Sequence, residues 1–302
     1  MELHQLEYFV AVVEAGTFSK AAKRCNITQP SLSQQIINLE TEIGRKLFNR
    51  LGRRITITEA GELLYPRACA ILSDVQHAKH ALTDGYMPGN STLSVGIIPT
   101  LGSFLLYETV TQFQSAYPNA TLHIHEDMTD NLIAKLMTAE LDIAFVSLPI
   151  ANNQLAITPL IEEPLYIAMP QDHGLASASE IMINDLTNIP FIRLSDHDCL
   201  SDQLDNFCYV QKINPPTIYQ TSHLSTVMEL VRLGMGISLV PACAVQGYAN
   251  KDIVFRQLSN PLARTIVSAR HKGREQTTLN TAFSQYLQQA WRTLTTTNPE
   301  AK

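Results

Sequence analysis

The chain has 302 residues, 45% hydrophobic and 17% charged, enough for about two domains that each bury an ordinary core. No apolar run approaches the roughly 18 residues needed to span a bilayer. Glu2 and Glu7 stand where a secretory leader carries lysines, so the N-terminus reads as mature structure. A net charge of −6 argues against nucleic acid only until its distribution is read: residues 1–67 hold nine Lys/Arg against seven Asp/Glu, and the remainder 13 against 21. A mildly basic head on an acidic body implies one anion-facing module and one that is not. Five cysteines, an odd and sparse supply, fit a reducing cytoplasm rather than a disulfide framework.

Leu3, Leu6, Phe9, Val10 and Val13 recur at spacings of three and four and predict a helix ending at Gly16. Thr17 is placed to cap a second helix, SKAAKRC, that stops near Cys25 and Asn26. Thr28 caps a third, with Pro30 in the first turn, where a missing N–H does no harm. In it Leu32, Ile36, Leu39 and Ile43 predict one buried stripe, opposite an uncharged, hydrogen-bonding face of Pro30, Ser31, Gln34, Asn38 and Thr41. Three short helices with a tight second turn make a helix-turn-helix. The run RLGRRITITEAG then gives a basic turn and an alternating Ile55, Thr56, Ile57, Thr58, which predicts a β-wing.

From Thr58 a helix is predicted to about Gly85, its Leu64, Ala68, Ile71, Val75, Ala78 and Leu82 keeping a heptad rhythm that asks for a partner helix. Pro66 falls in its early turns and should bend or locally weaken it. This segment reads as a dimerisation linker, closed by YMPGNST. Strand and helix patterns then alternate: TLSVGII, a helix near 101–116, TLHIHED, a helix near 129–139, LDIAFVS and PLYIAMP. A second round follows with PFIRL, a helix near 199–212, TIYQTS, a helix near 223–234, and ISLVPA. RTIVSAR leads to a last helix near 275–294 and a polar tail, TTTNPEAK, expected to fray. Such βαβ punctuation predicts a largely parallel sheet. The chain would cross between two lobes near 163–168 and 264–268, leaving a cleft between them. The domain expectation is 1–58 for the DNA-binding head, 59–87 for the linker and 92–302 for a regulatory domain. Within it, lobe I takes about 92–163 and 268–302 and lobe II about 164–267.

Cys199 and Cys208 stand close together in DHDCLSDQLDNFC. A reactive cysteine needs thiolate character and access. Cys199 sits at the predicted start of a helix, where free N–H groups and the helix dipole favour an anion. If 199–208 is helical, the rise per residue puts the two about 13 Å apart, far beyond disulfide reach. Three readings stay open from these residues alone: core packing, a redox pair, or a soft-metal site completed by His197. Cys25, Cys69 and Cys243 read as core packing, and the pairs His77/His80 and His123/His125 as surface or core histidines rather than ligands. Thr100, Ser103 and Thr129 could equally be helix caps.

Some 45 residues, GTFSKAAKRCNITQPSLSQQIINLETEIGRKLFNRLGRRITITEAG, resemble the winged helix-turn-helix of LysR-type transcriptional regulators through SxAA, TQPSLS, LE..IG..LF.R and R.ITITEAG. The effector half is most similar to the hydrogen-peroxide sensors of that family, at VGIIPTLGSFLL (95–106), HEDMTDNL (125–132), CLSDQLDNFC (199–208), SHLSTVMELVRLGMGISLVPA (222–242) and ARTI (263–266). The resemblance implies an N-terminal all-α winged helix-turn-helix plus long linker helix. Behind these it implies a C-terminal α/β effector domain of two Rossmann-like lobes, periplasmic-binding-protein-like.

It also implies double-stranded DNA at a promoter site as partner, with Gln29, Pro30, Ser33 and Gln34 approaching the bases beside Ser31. Many relatives have arginine at 34, so Gln34 should change sequence preference. Arg50, Arg53 and Arg54 in the wing would hold phosphates or enter the minor groove. Hydrogen peroxide is the implied effector: it oxidises Cys199 to a sulfenic acid that Cys208 closes to a disulfide. Thr100 and Thr129 would orient the peroxide, Asp198 would adjoin it, and Arg264 would stabilise the thiolate and the departing oxygen. Those relatives commonly carry Gly-His before the reactive cysteine and arginine two residues after it. Here His197-Asp198 and Ser201 stand there, which removes positive or hydrogen-bonding support. A homotetramer built as a dimer of dimers, contact with RNA polymerase, a cytoplasmic location, no membrane, no cofactor and no metal complete the expectation. The competing readings are a regulator binding a small carboxylate in the cleft at Thr100 and Ser103, a thiol peroxidase using Cys199, and a metal-dependent regulator.

Overall fold

A computed structural model describes residues 1–51, 54–83, 92–194, 199–211, 213–248, 252–274 and 276–297. They form two compact units, Met1–Ser91 with Ala134–Leu141, and Thr92–Ile133 with Asp142–Lys302.

The first unit opens with α1 (Leu3–Ala15), α2 (Phe18–Arg24) and α3 (Gln29–Ile43). Their ends are chemical: Gly16 and Gly44 take positive φ after α1 and α3, where a side chain would be strained. Thr17 Oγ1 accepts from Lys20 N and Thr28 Oγ1 from Ser31 N, capping α2 and α3 as expected. Leu6, Phe9, Val12, Ala21, Leu32, Ile36 and Leu39 are buried together in one core. Ile43 does not join that stripe. It is 38% exposed, because α3 outruns the small core one residue before Gly44. β1 (Phe48–Leu51) and β2 (Arg54–Ile57) pair antiparallel as the wing, Phe48 opposite Ile57. α4 (Glu59–Thr83) follows with Pro66 inside it. Leu64 and Ala68 face the core, Val75 is half-buried and Ile71 is 37% exposed, so among the described residues the heptad stripe is only partly buried. The predicted end near Gly85 and the side chains of Ala78 and Leu82 lie outside the described residues.

In the second unit, apart from residues 134–137 of α6, come β3 (Thr92–Ile97), α5 (Pro99–Ala116), β4 (Thr121–Glu126), α6 (Thr129–Met137), β5 (Ile143–Ser147), β6 (Leu155–Pro170) and β7 (Phe191–Leu194). Then follow α7 (Cys199–Gln211), β8 (Thr217–Thr221), α8 (Leu224–Arg232), β9 (Ser238–Pro241), α9 (Ala242–Tyr248), β10 (Ile253–Arg256), β11 (Ala263–His271) and α10 (Thr278–Thr297).

The expected parallel sheet is in fact mixed. β3 pairs parallel with β4 and β5, and β7 with β8, but β11 runs antiparallel to β5 and β6, and β6 antiparallel to β9 and β10. The reason is β6. It begins at Leu155, not at Pro164, and extends the whole sheet: its first part pairs β11 and its last residues pair β9 and β10. The two strands β6 and β11 therefore carry the chain through the sheet, with a register shift at Ile266/Val267. Around β6, β7, β9 and α8 a core of Ile167, Phe191, Ile192, Val227, Met228 and Val240 is buried.

Candidate functional site

The exposed face of α3 is held in shape by polar contacts. Gln29, Pro30, Ser31 and Gln34 are exposed and Ser33 is half-buried. Ser19 Oγ on α2 donates to Gln29 Oε1 at 2.8 Å, and Gln34 Nε2 donates to Asn38 Oδ1 at 3.1 Å. Both glutamine amides are thereby oriented before any partner arrives. Glu40, on the buried side of the same helix, ties α3 to the wing. Its Oε1 accepts from Leu47 N at 2.9 Å and Phe48 N at 3.3 Å, and its Oε2 pairs with Lys46 Nζ at 2.9 Å. Burial pushes the Glu40 carboxyl up, but the bonds from Lys46, Leu47 and Phe48 with the lysine charge outweigh it and hold the pKa below 4.5. Thr58 Oγ1 donates to Lys46 O at 2.6 Å and accepts from Gly61 N at 3.1 Å, joining wing and α4. Arg53 lies outside the described residues, as do the side chains of Arg50 and Arg54.

In the second unit Thr100 and Thr129 arrive at corresponding places. The paired ends of β3 and β4 are Ile97 and Glu126, and each threonine follows three residues later, in the first turn of α5 or α6. This is the C-terminal edge of parallel strands, where open α/β sheets bind ligands. Thr129 is half-buried, and Asp127 Oδ1, not Thr129, accepts from Met128 N at the start of α6. Thr100 is buried, and its hydroxyl accepts from Arg264 Nη1 at 2.9 Å. Ser103 is exposed and donates to Pro99 O, so Thr100 and Ser103 do not present a shared pair of hydroxyls to an anion.

Arg264 is 1% exposed, and its Nε meets Glu163 Oε2 at 2.7 Å. The pairing register of β6 and β11 puts these two residues opposite one another. Glu163 Oε1 accepts from Cys243 N at 2.9 Å, and Cys243 Sγ donates to Thr100 O at 3.2 Å. Burial drives the Cys243 thiol well above its ordinary pKa, Glu163 adds to the rise and Arg264 offsets part of it, so Cys243 is a protonated donor. Thr100, Glu163, Cys243 and Arg264 form one buried polar cluster, a fixed guanidinium held at a strand-end hydroxyl. Glu163 and Cys243 were not legible as members, because Arg264 is 101 residues from Glu163 in sequence and 164 from Thr100.

Cys199 and Cys208 lie at the first and tenth residues of α7. Cys208 is buried in the core with Leu200 and Leu204. Burial raises its thiol pKa, Arg193 counteracts and Asp205 adds to the rise. Asp198 and His197 lie outside the described residues, as does the side chain of Cys199. Ser201 is buried and donates to Leu194 O at 3.2 Å. Of the other thiols, Cys69 and Cys243 are buried, and Cys25 is half-buried against the first unit's core. His123 and His125 are exposed on β4, and the side chains of His77 and His80 lie outside the described residues. Among the described residues no cluster of His, Cys, Asp or Glu is grouped to hold a metal, and no helix is long and apolar enough to cross a membrane.

A family model described as LysR substrate binding domain matches residues 88–292, and one described as bacterial regulatory helix-turn-helix protein, lysR family, matches residues 3–62. The chain belongs to the LysR family. This LysR-family chain is accordingly a DNA-binding transcription regulator with an N-terminal helix-turn-helix and a C-terminal α/β effector domain. It is 34% identical over 245 residues to the hydrogen peroxide-inducible genes activator of Dickeya chrysanthemi, covering 81% of this chain and 80% of that protein. It is 32% identical over 268 residues to the DNA-binding transcriptional dual regulator OxyR of Escherichia coli K12, covering 88% of each. Among solved structures, full-length Pseudomonas aeruginosa OxyR with a cysteine-to-aspartate substitution matches at TM-score 0.73 and 28% identity, over 95% of this chain and 98% of that one. An H2O2-bound Corynebacterium glutamicum OxyR cysteine-to-serine mutant matches at TM-score 0.66 and 28% identity, over 99% and 97%.

Proposed function

We propose that this regulator senses hydrogen peroxide through Cys199 and reports it by closing a disulfide to Cys208, controlling antioxidant genes. The observation that carries the reading is that the two cysteines share one helix. Nine steps of helical rise separate them by about 13 Å, and cysteines whose Cα atoms are more than about 7 Å apart cannot be bridged without backbone movement. Bond formation therefore requires α7 to open. The Cys199 thiolate attacks one peroxide oxygen; an S–O bond forms, the O–O bond breaks and the other oxygen leaves as hydroxide. Cys208 then attacks that sulfur, the S–S bond forms, and the S–O oxygen leaves as water. The relatives named for peroxide induction and the buried Thr100–Arg264 pair support this reading. Thr100, Thr129 and Asp198 are assigned to the peroxide pocket and Arg264 to stabilising the sulfur anion. Position 201 carries serine where the resemblance implies arginine, and Arg193 of β7 donates to the carbonyl and hydroxyl oxygens of Ser201.

On DNA, Gln29, Pro30, Ser31, Ser33 and Gln34 read bases from α3, and Arg50, Arg53 and Arg54 hold phosphates. The working form is a cytoplasmic homotetramer that contacts RNA polymerase. The protein acts as a regulator rather than an enzyme. Stoichiometric peroxide followed by peptide mass mapping tests the reading. A loss of two hydrogens localised to the peptides carrying 199 and 208, absent in Cys199→Ser, is expected; unchanged thiols would refute it.

A further inference from the structure

Position 201 carries no charge, yet a guanidinium occupies its surroundings. Arg193 reaches across from β7, its Nη2 lies 3.4 Å from both Ser201 O and Ser201 Oγ, and it forms an ion pair with Asp205. Ser201 in turn donates to Leu194 O. Two consecutive β7 residues thus hold the first two turns of α7, the helix that carries both switch cysteines. Two features mark this clamp as weakly closed. Arg193 Nε is buried with no hydrogen-bond partner among the described residues, a desolvated N–H whose cost is relieved when the helix lifts. A cavity of about 10 Å³ between β7, β9 and α7, lined by Arg193, Leu194, Leu200, Ser201, Leu204 and Ser238, leaves the underside of the helix incompletely packed.

We propose that Arg193 is a positioning residue of the switch: through Ser201 and Asp205 it latches α7 to β7 and so sets how fast Cys208 reaches an oxidised Cys199. The inference rests on the disulfide reading above. Peroxide attack at Cys199 precedes opening of α7, so the latch enters the barrier to closure and not the barrier to oxidation. Asp205 is 57% exposed and Arg193 20%, so the ion pair is a modest restraint, matched to a segment that must open on signal.

The test uses full-length Asp205→Asn and Arg193→Met, with Arg193→Lys as the conservative variant. In reduced protein, amide exchange across 200–211 should quicken about threefold in Asp205→Asn and up to about tenfold in Arg193→Met, as an exposed pair and then its added hydrogen bonds are lost. Exchange in α10 should stay unchanged. After one equivalent of peroxide, dimedone-trapped sulfenate at Cys199 should form at the wild-type rate while the disulfide closes faster by the same factors, closure being compared at equal Cys208 thiolate fraction because Arg193 lowers and Asp205 raises the pKa of that thiol. Arg193→Lys, which keeps the charge without the fork, should fall between. Unchanged exchange and closure in Arg193→Met overturn the latch, and so does slower closure at an unchanged sulfenate rate. If wild-type protein forms no disulfide, the disulfide reading fails instead, and the exchange data still decide whether Arg193 holds α7.

Discussion

Replacing Glu40 by glutamine tests whether the helix-turn-helix and its wing are one mechanical piece. The carboxylate receives Leu47 N, Phe48 N and Lys46 Nζ from a buried position. Glutamine keeps one acceptor oxygen for the two backbone groups, but both bonds fall from charge-assisted to neutral, a loss of about 1 kcal/mol each. Lys46 is exposed, so its contact adds less than about 1 kcal/mol. The sum is about 2–3 kcal/mol, which in a unit of this size lowers the melting temperature by about 10–20 °C. Calorimetry of the full-length protein should show the shift in the transition of the first unit, with amide protection lost at Leu47 and Phe48. The sign with pH follows from a folded pKa held below 4.5. The carboxylate stabilises at and above that unfolded value, and its contribution disappears as pH falls through the lower, folded value. The gap between wild type and Glu40→Gln should therefore stay constant near neutrality and shrink in acid. A gap that stays constant into acid, or no loss of protection at Leu47, refutes the reasoning.

Gly61→Ala should loosen the wing by about 1–3 kcal/mol, since an added Cβ would sit 2.5 Å from both Leu47 O and Ile57 Cγ1; exchange across 54–57 and DNA affinity report it. Arg264→Met strands Glu163 unpaired in the interior and should lower stability by about 3–5 kcal/mol, read from urea unfolding by Trp291 fluorescence. Adding Glu163→Leu should recover much of that loss. Because burial raises the Cys208 thiol above 9.0, iodoacetamide at pH values near 9 should alkylate Cys208 more slowly in native than in unfolded protein, and denaturant should erase the difference.

Local periodicity made the DNA-binding head legible. Leu32, Ile36 and Leu39 fell on the buried face as spaced, and the caps at Thr17 and Thr28 are local chemistry. The pattern overextends only at Ile43, which continues the stripe of α3 past the end of the core, whereas Ile71 lies exposed on the heptad stripe that asks for a partner helix. In the effector half, each βαβ step read as parallel was correct for β3, β4 and β5. The long strand β6 was missed in its first part because Pro159 and the charged Glu162-Glu163 interrupt any alternation, and its antiparallel pairing with β11 reverses the sheet's character. What no local pattern could supply were partners brought together by that sheet: Glu163 for Arg264, Cys243 for Thr100, and Arg193 for the helix of Cys208.

A crystal structure of the protein after peroxide treatment bears most directly on the switch. The account predicts an S–S bond of about 2.05 Å joining Cys199 and Cys208, with α7 no longer helical between them. Two free thiols on an intact helix from Cys199 to Gln211, in protein that has consumed the oxidant, would contradict it.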